Sequence, residues 1–232
     1  MKIALLGYGR MGQEIEKIAL SRGHEIVLKA EIKGFSDEEI SIADVAIDFS
    51  VPESAFNNIK KAIKNNIPII SGTTGWLHNY DDIVDYCNEK KGAFIYASNF
   101  SLGVNIFFEL NKKLAKMISP HNYSVEMEEI HHTKKLDAPS GTAITLAEGI
   151  IENSDFTGWK LDNSGENEIA ITAKRIENIP GTHTVTYNSE IDDIEIKHTA
   201  HNRKGFALGA VVAAEWLVDK EGVFSMKDVL GL

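Results

Sequence analysis

The residues whose types and spacing could do chemistry are concentrated between Ile130 and Thr142, where the sequence is IHHTKKLDAPSGT. This segment contains two histidines, two lysines and an aspartate, and it ends in a Pro-Ser-Gly turn. The residues that follow, TAITLAEGII, predict a helix that begins at the turn. The first turn of a helix offers N–H groups without intrahelical acceptors, together with a positive dipole end. The segment therefore predicts an anion site beside groups that can transfer protons.

Other interpretations of these side chains are open at this point. His131 and His132 could be metal ligands, but no thiolate accompanies them. Lys134 and Lys135 would also repel a cation, so we expect no metal site. His131 could equally be a histidine of the core. Ser140 could be a nucleophile, but it lacks a G-x-S-x-G turn, and a helix N-cap is the simpler role.

A glycine-rich turn follows the first predicted strand. Gly7, Gly9 and Gly12 form G-x-G-x-x-G directly after the apolar residues 2–6 and directly before a helical pattern. In this context the glycines allow a tight turn, close approach of a pyrophosphate, and close packing of helix on strand. Glu31 ends the second predicted strand, where an acidic residue binds the ribose hydroxyls of a dinucleotide, although it could also be simply a solvated glutamate.

The residues after Glu31 bear on the choice of cofactor. Ile32 occupies the position at which an arginine would favour a 2′-phosphate, whereas Lys33 could substitute for that arginine. The sequence therefore favours NADH over NADPH, and either nicotinamide cofactor is compatible with the glycine motif.

Strands and helices alternate through the first hundred residues, which predicts a doubly wound parallel sheet of the Rossmann type. Two further loops follow predicted strands, GTTG at Gly72–Gly75 and ASNFS at Ala97–Ser101. Loops at the carboxyl ends of parallel strands lie where ligands bind in such sheets, although either could be only a turn.

Beyond this region the pattern changes to a long helix, a strand, and then a strand-rich stretch after Glu168. We predict an α/β protein in which an α+β domain with a mixed sheet is inserted before a returning C-terminal helix. The expected boundaries are a dinucleotide-binding domain at 1–102, a substrate-binding and oligomerisation domain at 103–204, and a C-terminal segment at 205–232 that packs back on the first domain.

Composition limits the classes of partner. Among 232 residues the formal net charge is −10, which argues against non-specific binding to nucleic acid. The apolar run Phe206–Val218 is too short to span a bilayer, so we expect a buried helix and no membrane partner. The single cysteine, Cys87, excludes an intrachain disulfide and, with no visible signal peptide after Met1, favours a cytoplasmic protein. Cys87 is expected to be packed rather than catalytic.

The sequence from Glu129 to Ala143, E-I-H-H-x-x-K-x-D-A-P-S-G-T-A, closely resembles the signature of the 4-hydroxy-tetrahydrodipicolinate (dihydrodipicolinate) reductase family. The resemblance extends along the chain through GYGRMG, DFS, GTTG, NFSLGVN, HTV and RKGFALGA. It implies an enzyme of lysine and diaminopimelate biosynthesis that uses NADH or NADPH to reduce a cyclic dicarboxylate imine with loss of water. It also implies a Rossmann domain, a mixed-sheet domain and a homotetramer.

The resemblance also implies roles for individual residues. His131 and Lys135 match the family's proton-transfer residues. The residues that match substrate contacts are His132, Ser140, Gly141 and Thr142. The residues that match cofactor contacts are Gly7, Tyr8, Gly9, Arg10, Met11, Gly12, Glu31, Gly72, Thr73, Thr74, Ala97, Ser98, Asn99 and Phe100.

Two other hypotheses remain at this stage. One is a different two-domain nicotinamide oxidoreductase, such as an enzyme acting on homoserine or aspartate semialdehyde; the lack of a cysteine in a motif typical of active sites argues against the semialdehyde class. The other is a non-catalytic NAD-sensing protein, which would have no reason to keep His131 and Lys135 beside an anion site.

Overall fold

The computed structural model describes residues 1–31 and 34–232, which form two compact units. The first, called here the parallel-sheet unit, comprises Met1–Leu102 and Lys204–Leu232. The second, the mixed-sheet unit, comprises Gly103–Arg203. The chain thus leaves the first unit after Leu102 and returns to it at Lys204.

The parallel-sheet unit is built on six strands that all run in the same direction, in the order β11-β5-β4-β3-β1-β2. The strands are β1 (Lys2–Leu6), β2 (Glu25–Ala30), β3 (Val45–Asp48), β4 (Ile69–Ser71), β5 (Ala93–Tyr96) and β11 (Gly222–Phe224). The chain passes from β1 to β2 on one side and then to β3 on the other. Such a change of direction opens a crevice at the carboxyl ends of the strands, where ligands bind in open α/β sheets.

Helices cover both faces of this sheet, as burial of near-continuous apolar strands requires. They are α1 (Arg10–Ser21), α2 (Asp37–Ile40), α3 (Pro52–Lys64), α4 (Tyr80–Lys90), α7 (Lys204–Leu217) and α8 (Met226–Leu230). One buried cluster joins α1 and α7 to the sheet through residues such as Ile15 and Val211. A second cluster joins α3 and α4 to the opposite face and includes Cys87.

The mixed-sheet unit has five strands in the order β10-β9-β6-β8-β7. They are β6 (Ser124–His131), β7 (Gly158–Leu161), β8 (Glu168–Arg175), β9 (Gly181–Asn188) and β10 (Asp193–Ala200). The central strand β6 is parallel to β8 and antiparallel to β9. Helices α5 (Leu102–Ile118) and α6 (Gly141–Ile151) contribute Phe107 and Leu146 to the buried cluster on one face of this sheet.

The predicted fold class is confirmed: the strands alternate with helices in a parallel sheet, and a mixed sheet is inserted before the closing helix α7. Cys87 is fully buried, and burial raises the pKa of its thiol to about 11, so the expectation of a packed cysteine is also confirmed. Within residues 1–31 and 34–232, no helix combines the length and apolar character needed to cross a membrane. The run Phe206–Val218 lies largely in α7, most of which is buried.

Candidate functional site

Four polar side chains of the mixed-sheet unit share one face of the sheet because of the strand register. Glu129 and His131 are two residues apart on β6, so they point to the same face. Glu129 lies opposite His183 in the antiparallel pair with β9, and His131 lies opposite Arg175 in the parallel pair with β8. We call these four residues the Glu129 cluster. It joins a carboxylate, two imidazoles and a guanidinium from three neighbouring strands.

Both carboxylate oxygens of Glu129 have partners, although the residue is fully buried. Oε1 accepts hydrogen bonds from Nη2 of Arg175 at 2.9 Å and from the backbone N–H of Ser140 at 3.2 Å. Oε2 contacts Nδ1 of His131. Burial alone would raise the pKa of Glu129, but the hydrogen bonds from His131 and Arg175 outweigh it and lower the pKa to about 2. The carboxylate is therefore ionised at neutral pH.

Ser140 begins α6 and connects it to the cluster. Its hydroxyl accepts a hydrogen bond from the N–H of Ala143 at 3.2 Å, which confirms the predicted helix N-cap. The same hydroxyl lies 3.1 Å from Nε2 of His183. Burial lowers the pKa of His183 to about 3, assisted by the nearby charge of His131. A histidine with this pKa is a weak base, so the Ser140–His183 pair does not have the chemistry of an activated nucleophile.

The loop between β6 and α6 is held by Arg175. Its guanidinium donates to the backbone carbonyls of Asp137 at 2.6 Å and Lys135 at 3.3 Å. The Nζ atom of Lys135 lies 2.8 Å from Oδ2 of Asp137. The ammonium of Lys135 also contributes to the low pKa of His183, as expected for a cation near the cluster. His132 follows β6 and is half-buried; its Nδ1 is buried and has no hydrogen-bond partner among the described residues.

Three members of the cluster have the donor types of a divalent-metal site. One ligand atom from each of Glu129, His131 and His183 lies within 4.8 Å of the others. His131 is adjacent to His132 in the sequence, whereas the fold pairs it with His183 instead. The carboxylate is already ion-paired with Arg175, and its other oxygen contacts Nδ1 of His131. A metal ion would have to compete with the guanidinium charge and displace that contact.

In the parallel-sheet unit, two glycines of the predicted glycine loop occupy positions that a side chain could not. Gly7 has φ +94°, and a Cβ there would lie 2.2 Å from the carbonyl oxygen of Phe49, which follows β3. A Cβ on Gly12 would lie 2.5 Å from the carbonyl oxygen of Gly7. Gly9 is the N-cap of α1 with no side-chain cap, and a Cβ there would meet nothing within 4 Å. The N-terminus of α1 is thus open for an anion to approach the backbone.

A second buried carboxylate, Asp48, ends β3 beside this loop. Its Oδ1 accepts hydrogen bonds from Ser50 Oγ at 2.7 Å and from Asn58 Nδ2 at 3.0 Å. Its Oδ2 accepts from Ser71 Oγ at 2.8 Å and from Thr73 Oγ1 at 2.7 Å. Burial raises the pKa of Asp48, and these four hydrogen bonds oppose the increase. Asp48 thereby ties the loop after β3 to the GTTG loop after β4.

The remaining predicted cofactor residues lie at the same edge of the sheet. Gly72–Thr74 and Ala97–Phe100 directly follow β4 and β5. Glu31 directly follows β2 and is exposed. Ile32 and Lys33, on which the expected cofactor preference partly depends, lie outside the described residues.

All predicted catalytic and substrate residues belong to the mixed-sheet unit, and all predicted cofactor residues belong to the parallel-sheet unit. Glu129, Arg175, His183 and Asp48 were not among the residues predicted from the sequence to have a role. Glu129 could have been found, since it lies two residues before His131 on a predicted strand and shares its face. His183 and Arg175 become neighbours of His131 only through strand register, which the sequence alone does not fix.

Comparisons with known proteins agree along the whole chain. Residues 1–100 match the family model for the N-terminus of dihydrodipicolinate reductase, and residues 103–230 match the model for its C-terminus. The chain is 62% identical to 4-hydroxy-tetrahydrodipicolinate reductase of Christiangramia forsetii, with 99% of this chain and 98% of the relative covered. It is 35% identical to the protein of the same name from Methanoregula boonei, over 97% of this chain and 92% of that relative.

Solved structures show the same fold. Dihydrodipicolinate reductase from Paenisporosarcina sp. TG-14, solved with bound dipicolinate, superposes with a TM-score of 0.79 at 22% identity and covers 97% of both chains. Aspartate semialdehyde dehydrogenase II from Vibrio cholerae superposes with a TM-score of 0.56 at 12% identity, covering 94% of this chain and 98% of the other.

Proposed function

Because the chain belongs to the dihydrodipicolinate reductase family, we propose that it is an NAD(P)H-dependent reductase that converts 4-hydroxy-tetrahydrodipicolinate to tetrahydrodipicolinate in lysine and diaminopimelate biosynthesis. Identity of 62% with a reductase of this name along nearly the full length of both chains supports the assignment. The observation that carries it is the arrangement of His131, Lys135 and the N-terminus of α6 within the mixed-sheet unit.

The substrate is a small cyclic dicarboxylate, and the N-terminus of α6 suits one of its carboxylates. Ser140 caps the helix through its side chain, and Gly141 and Thr142 form the first helical turn. A Cβ on Gly141 would meet nothing within 4 Å, which leaves its backbone accessible. His132 contributes a further polar contact in this proposal. A dicarboxylate also explains why an acidic protein concentrates histidine and lysine in this segment.

His131 and Lys135 carry the proton transfers in this proposal. The Lys135 ammonium stabilises the electron density that develops on the ring nitrogen and supplies its proton, while His131 acts as a proton donor and acceptor. In the described structure Lys135 is ion-paired with Asp137. The ion pair orients the ammonium. Because Asp137 is exposed, a substrate carboxylate could take its place beside Lys135.

The parallel-sheet unit fits a nicotinamide dinucleotide. The Gly7–Gly12 loop opens onto the uncapped N-terminus of α1, where a pyrophosphate can approach the backbone. When bound, the reduced nicotinamide supplies a hydride. Tyr8, Arg10 and Met11 complete the first loop. The other residues proposed to contact the cofactor are Gly72, Thr73, Thr74, Ala97, Ser98, Asn99 and Phe100.

We propose NADH as the preferred cofactor. Glu31 is exposed at the end of β2, where its carboxylate would accept hydrogen bonds from the ribose hydroxyls and repel a 2′-phosphate. Glu31→Ala should therefore raise the KM for NADH and lower that for NADPH. An unchanged ratio of kcat/KM for the two cofactors would contradict this role of Glu31.

Two further properties belong to the same proposal. The protein works in the cytoplasm, as its single reduced cysteine suggests. It assembles as a homotetramer, for which the polar face of the mixed sheet and the exposed edge strand β10 offer a surface. Analytical ultracentrifugation tests the assembly, and a monomeric protein at micromolar concentration would refute it.

A coupled assay tests the reaction. Oxidation of NADH and NADPH is followed by absorbance after the substrate is generated freshly from pyruvate and aspartate semialdehyde by the synthase. We expect oxidation of at least one cofactor that depends on the synthase product. His131→Ala and Lys135→Ala should each lower turnover roughly 10²–10⁴-fold while cofactor binding, measured by fluorescence, persists. Oxidation of neither cofactor would reject the reductase.

The same assay separates the alternatives. A dinucleotide sensor would bind cofactor without turnover. An enzyme that reduces aspartate semialdehyde to homoserine would oxidise the cofactor before the synthase is added. A semialdehyde dehydrogenase would instead need an oxidised cofactor, would oxidise neither NADH nor NADPH in this assay, and would use a reactive cysteine. Burial of Cys87 and its pKa of about 11 disfavour that mechanism, since the thiolate is the nucleophile.

A further inference from the structure

The partners of Glu129 determine how the proton on His131 must be placed. The carboxylate is ionised and accepts but cannot donate hydrogen bonds. One of its oxygens is occupied by Arg175 and the N–H of Ser140, and the other contacts Nδ1 of His131. An ionised oxygen facing Nδ1 is stable only if that nitrogen carries a hydrogen. In the neutral ring, Nε2 is then left with the lone pair.

The surroundings of His131 reinforce this arrangement. Among the described residues, the charged and titratable groups that face the imidazole include Glu129 on its own strand, Arg175 opposite it on β8, and His183 on β9. Lys135, in the following loop, acts on the neighbouring His183. His183 meets the His131 ring edge to face, with the centroids 5.0 Å apart. A Cβ on Gly181, also on β9, would lie 3.1 Å from Nε2 of His131 and 3.9 Å from Cε1 of His183. The glycine therefore leaves space beside the nitrogen that carries the lone pair.

We propose that Glu129 is a positioning residue that fixes His131 in the Nδ1–H tautomer, so that Nε2 is the atom that exchanges the proton during reduction. When Nε2 takes up a proton, the adjacent carboxylate stabilises the imidazolium; when it gives the proton up, the same tautomer is restored. Arg175 anchors the opposite oxygen, which keeps the carboxylate aimed at Nδ1. The role in reduction rests on the proposed function, whereas the tautomer is a property of the protein alone.

Nitrogen NMR of the protein labelled at histidine tests the tautomer without substrate or cofactor. The His131 signals are assigned by their loss in His131→Asn. At a pH where the ring is neutral, we expect a protonated Nδ1 and an unprotonated Nε2 in the unmodified protein. A protonated Nε2 in that spectrum would overturn the proposal, and this measurement requires no Glu129 variant to fold.

Glu129→Gln should reverse the tautomer. Two donors, Arg175 and the N–H of Ser140, face Oε1, so the new amide would turn its carbonyl oxygen toward them and its NH2 group toward Nδ1. An NH2 group at that position requires an unprotonated Nδ1 and moves the hydrogen to Nε2. We expect this change in the spectrum, and a fall in kcat of roughly 10²-fold or more with a smaller change in substrate KM.

Glu128→Gln is the matched control. It makes the same chemical change one residue earlier on β6, on the other face of the sheet, where Glu128 pairs with Lys174. It should leave the His131 tautomer and kcat unchanged. If Glu129→Gln folds and leaves the tautomer and kcat as they were, the positioning role is refuted. If the tautomer changes as expected but the unmodified protein reduces nothing, the proposed function fails and the tautomer assignment stands.

Discussion

Two carboxylates, Asp48 and Glu129, are fully buried, one in each unit of the protein, and their surroundings have opposite effects on their charge. Asp48 is surrounded by neutral donors, three hydroxyls and one amide. Glu129 faces a guanidinium and an imidazole. Burial raises the pKa of Asp48, with only partial opposition, whereas the hydrogen bonds from His131 and Arg175 lower that of Glu129 to about 2 in spite of burial.

The difference shows that complete hydrogen bonding does not by itself fix the charge of a buried acid. Hydroxyls satisfy Asp48 in either protonation state because they can rotate to donate or accept. Its contribution is geometric, since Thr73 links it to the backbone N–H of Ser50 at 2.9 Å and so joins two loops. Glu129 must remain ionised to orient His131. Asp48 joins two loops near the proposed cofactor residues, and Glu129 sets the protonation of a proposed catalytic group.

The largest expected effect comes from removing the cation beside Glu129. Arg175→Met removes the cation from a buried carboxylate, leaves its Oε1 with only the N–H of Ser140, and releases the carbonyls of Lys135 and Asp137. We expect the free energy of unfolding in urea to fall by about 3–5 kcal/mol. Arg175→Lys retains the positive charge but not the planar fork of donors, so the fall in its free energy of unfolding should be smaller. If Arg175→Met were as stable as the unmodified protein, burial of the Glu129 carboxylate would not depend on its ion pair with Arg175.

The pH dependence of stability should distinguish the two carboxylates in sign. Because the pKa of Glu129 falls from 4.5 to about 2 on folding, its stabilising contribution is complete above pH 4.5 and disappears as the pH falls toward 2. The stability advantage over Glu129→Gln should therefore shrink below pH 4.5 by up to about 1.4 kcal/mol per pH unit.

Asp48 should behave in the opposite way. Its pKa is raised on folding, so the folded protein binds a proton more readily than the unfolded chain, and acidification favours the unmodified protein over Asp48→Asn. Urea unfolding of the two variants and the unmodified protein between pH 7 and pH 3.5 measures both trends. Parallel curves for the two variants would refute the contrast between the carboxylates.

The sequence was sufficient for the elements that position the site, but not for the Glu129 cluster. The glycine loop, β6 and the cap of α6 follow from apolar periodicity and local capping chemistry. Short elements such as α2 and β11 were not predicted, because three or four residues are too few to show a helical or strand periodicity. The partnership of Glu129 with Arg175 depends on the register of β6 and β8, residues far apart in sequence that only the folded sheet brings together.

Removing the acceptor at Asp48 should have a moderate effect. Asp48→Ala leaves buried donors on Ser71 and Thr73 without their acceptor, and we expect a loss of about 2–3 kcal/mol in unfolding free energy. Asp48→Asn should cost about 1 kcal/mol, since the two hydroxyls can rotate to accept from the new NH2 group. The KM for NADH should rise in Asp48→Ala, while the His131 NMR signals stay unchanged. A change of the His131 tautomer in this variant would contradict the separate roles of the two carboxylates.

The smallest effect is expected at a carboxylate with the same type of partner as Glu129 but access to water. Asp137 pairs with Lys135, yet its side chain is 59% exposed. Solvent screens such a pair, so Asp137→Asn should change the unfolding free energy by less than about 1 kcal/mol. Both variants break an ion pair in the same loop region. The difference between their changes in unfolding free energy therefore follows from burial. Urea unfolding at low and high salt measures this difference. A loss of several kcal/mol of unfolding free energy in Asp137→Asn would mean that the Lys135–Asp137 pair, and not the buried Glu129, holds this loop together.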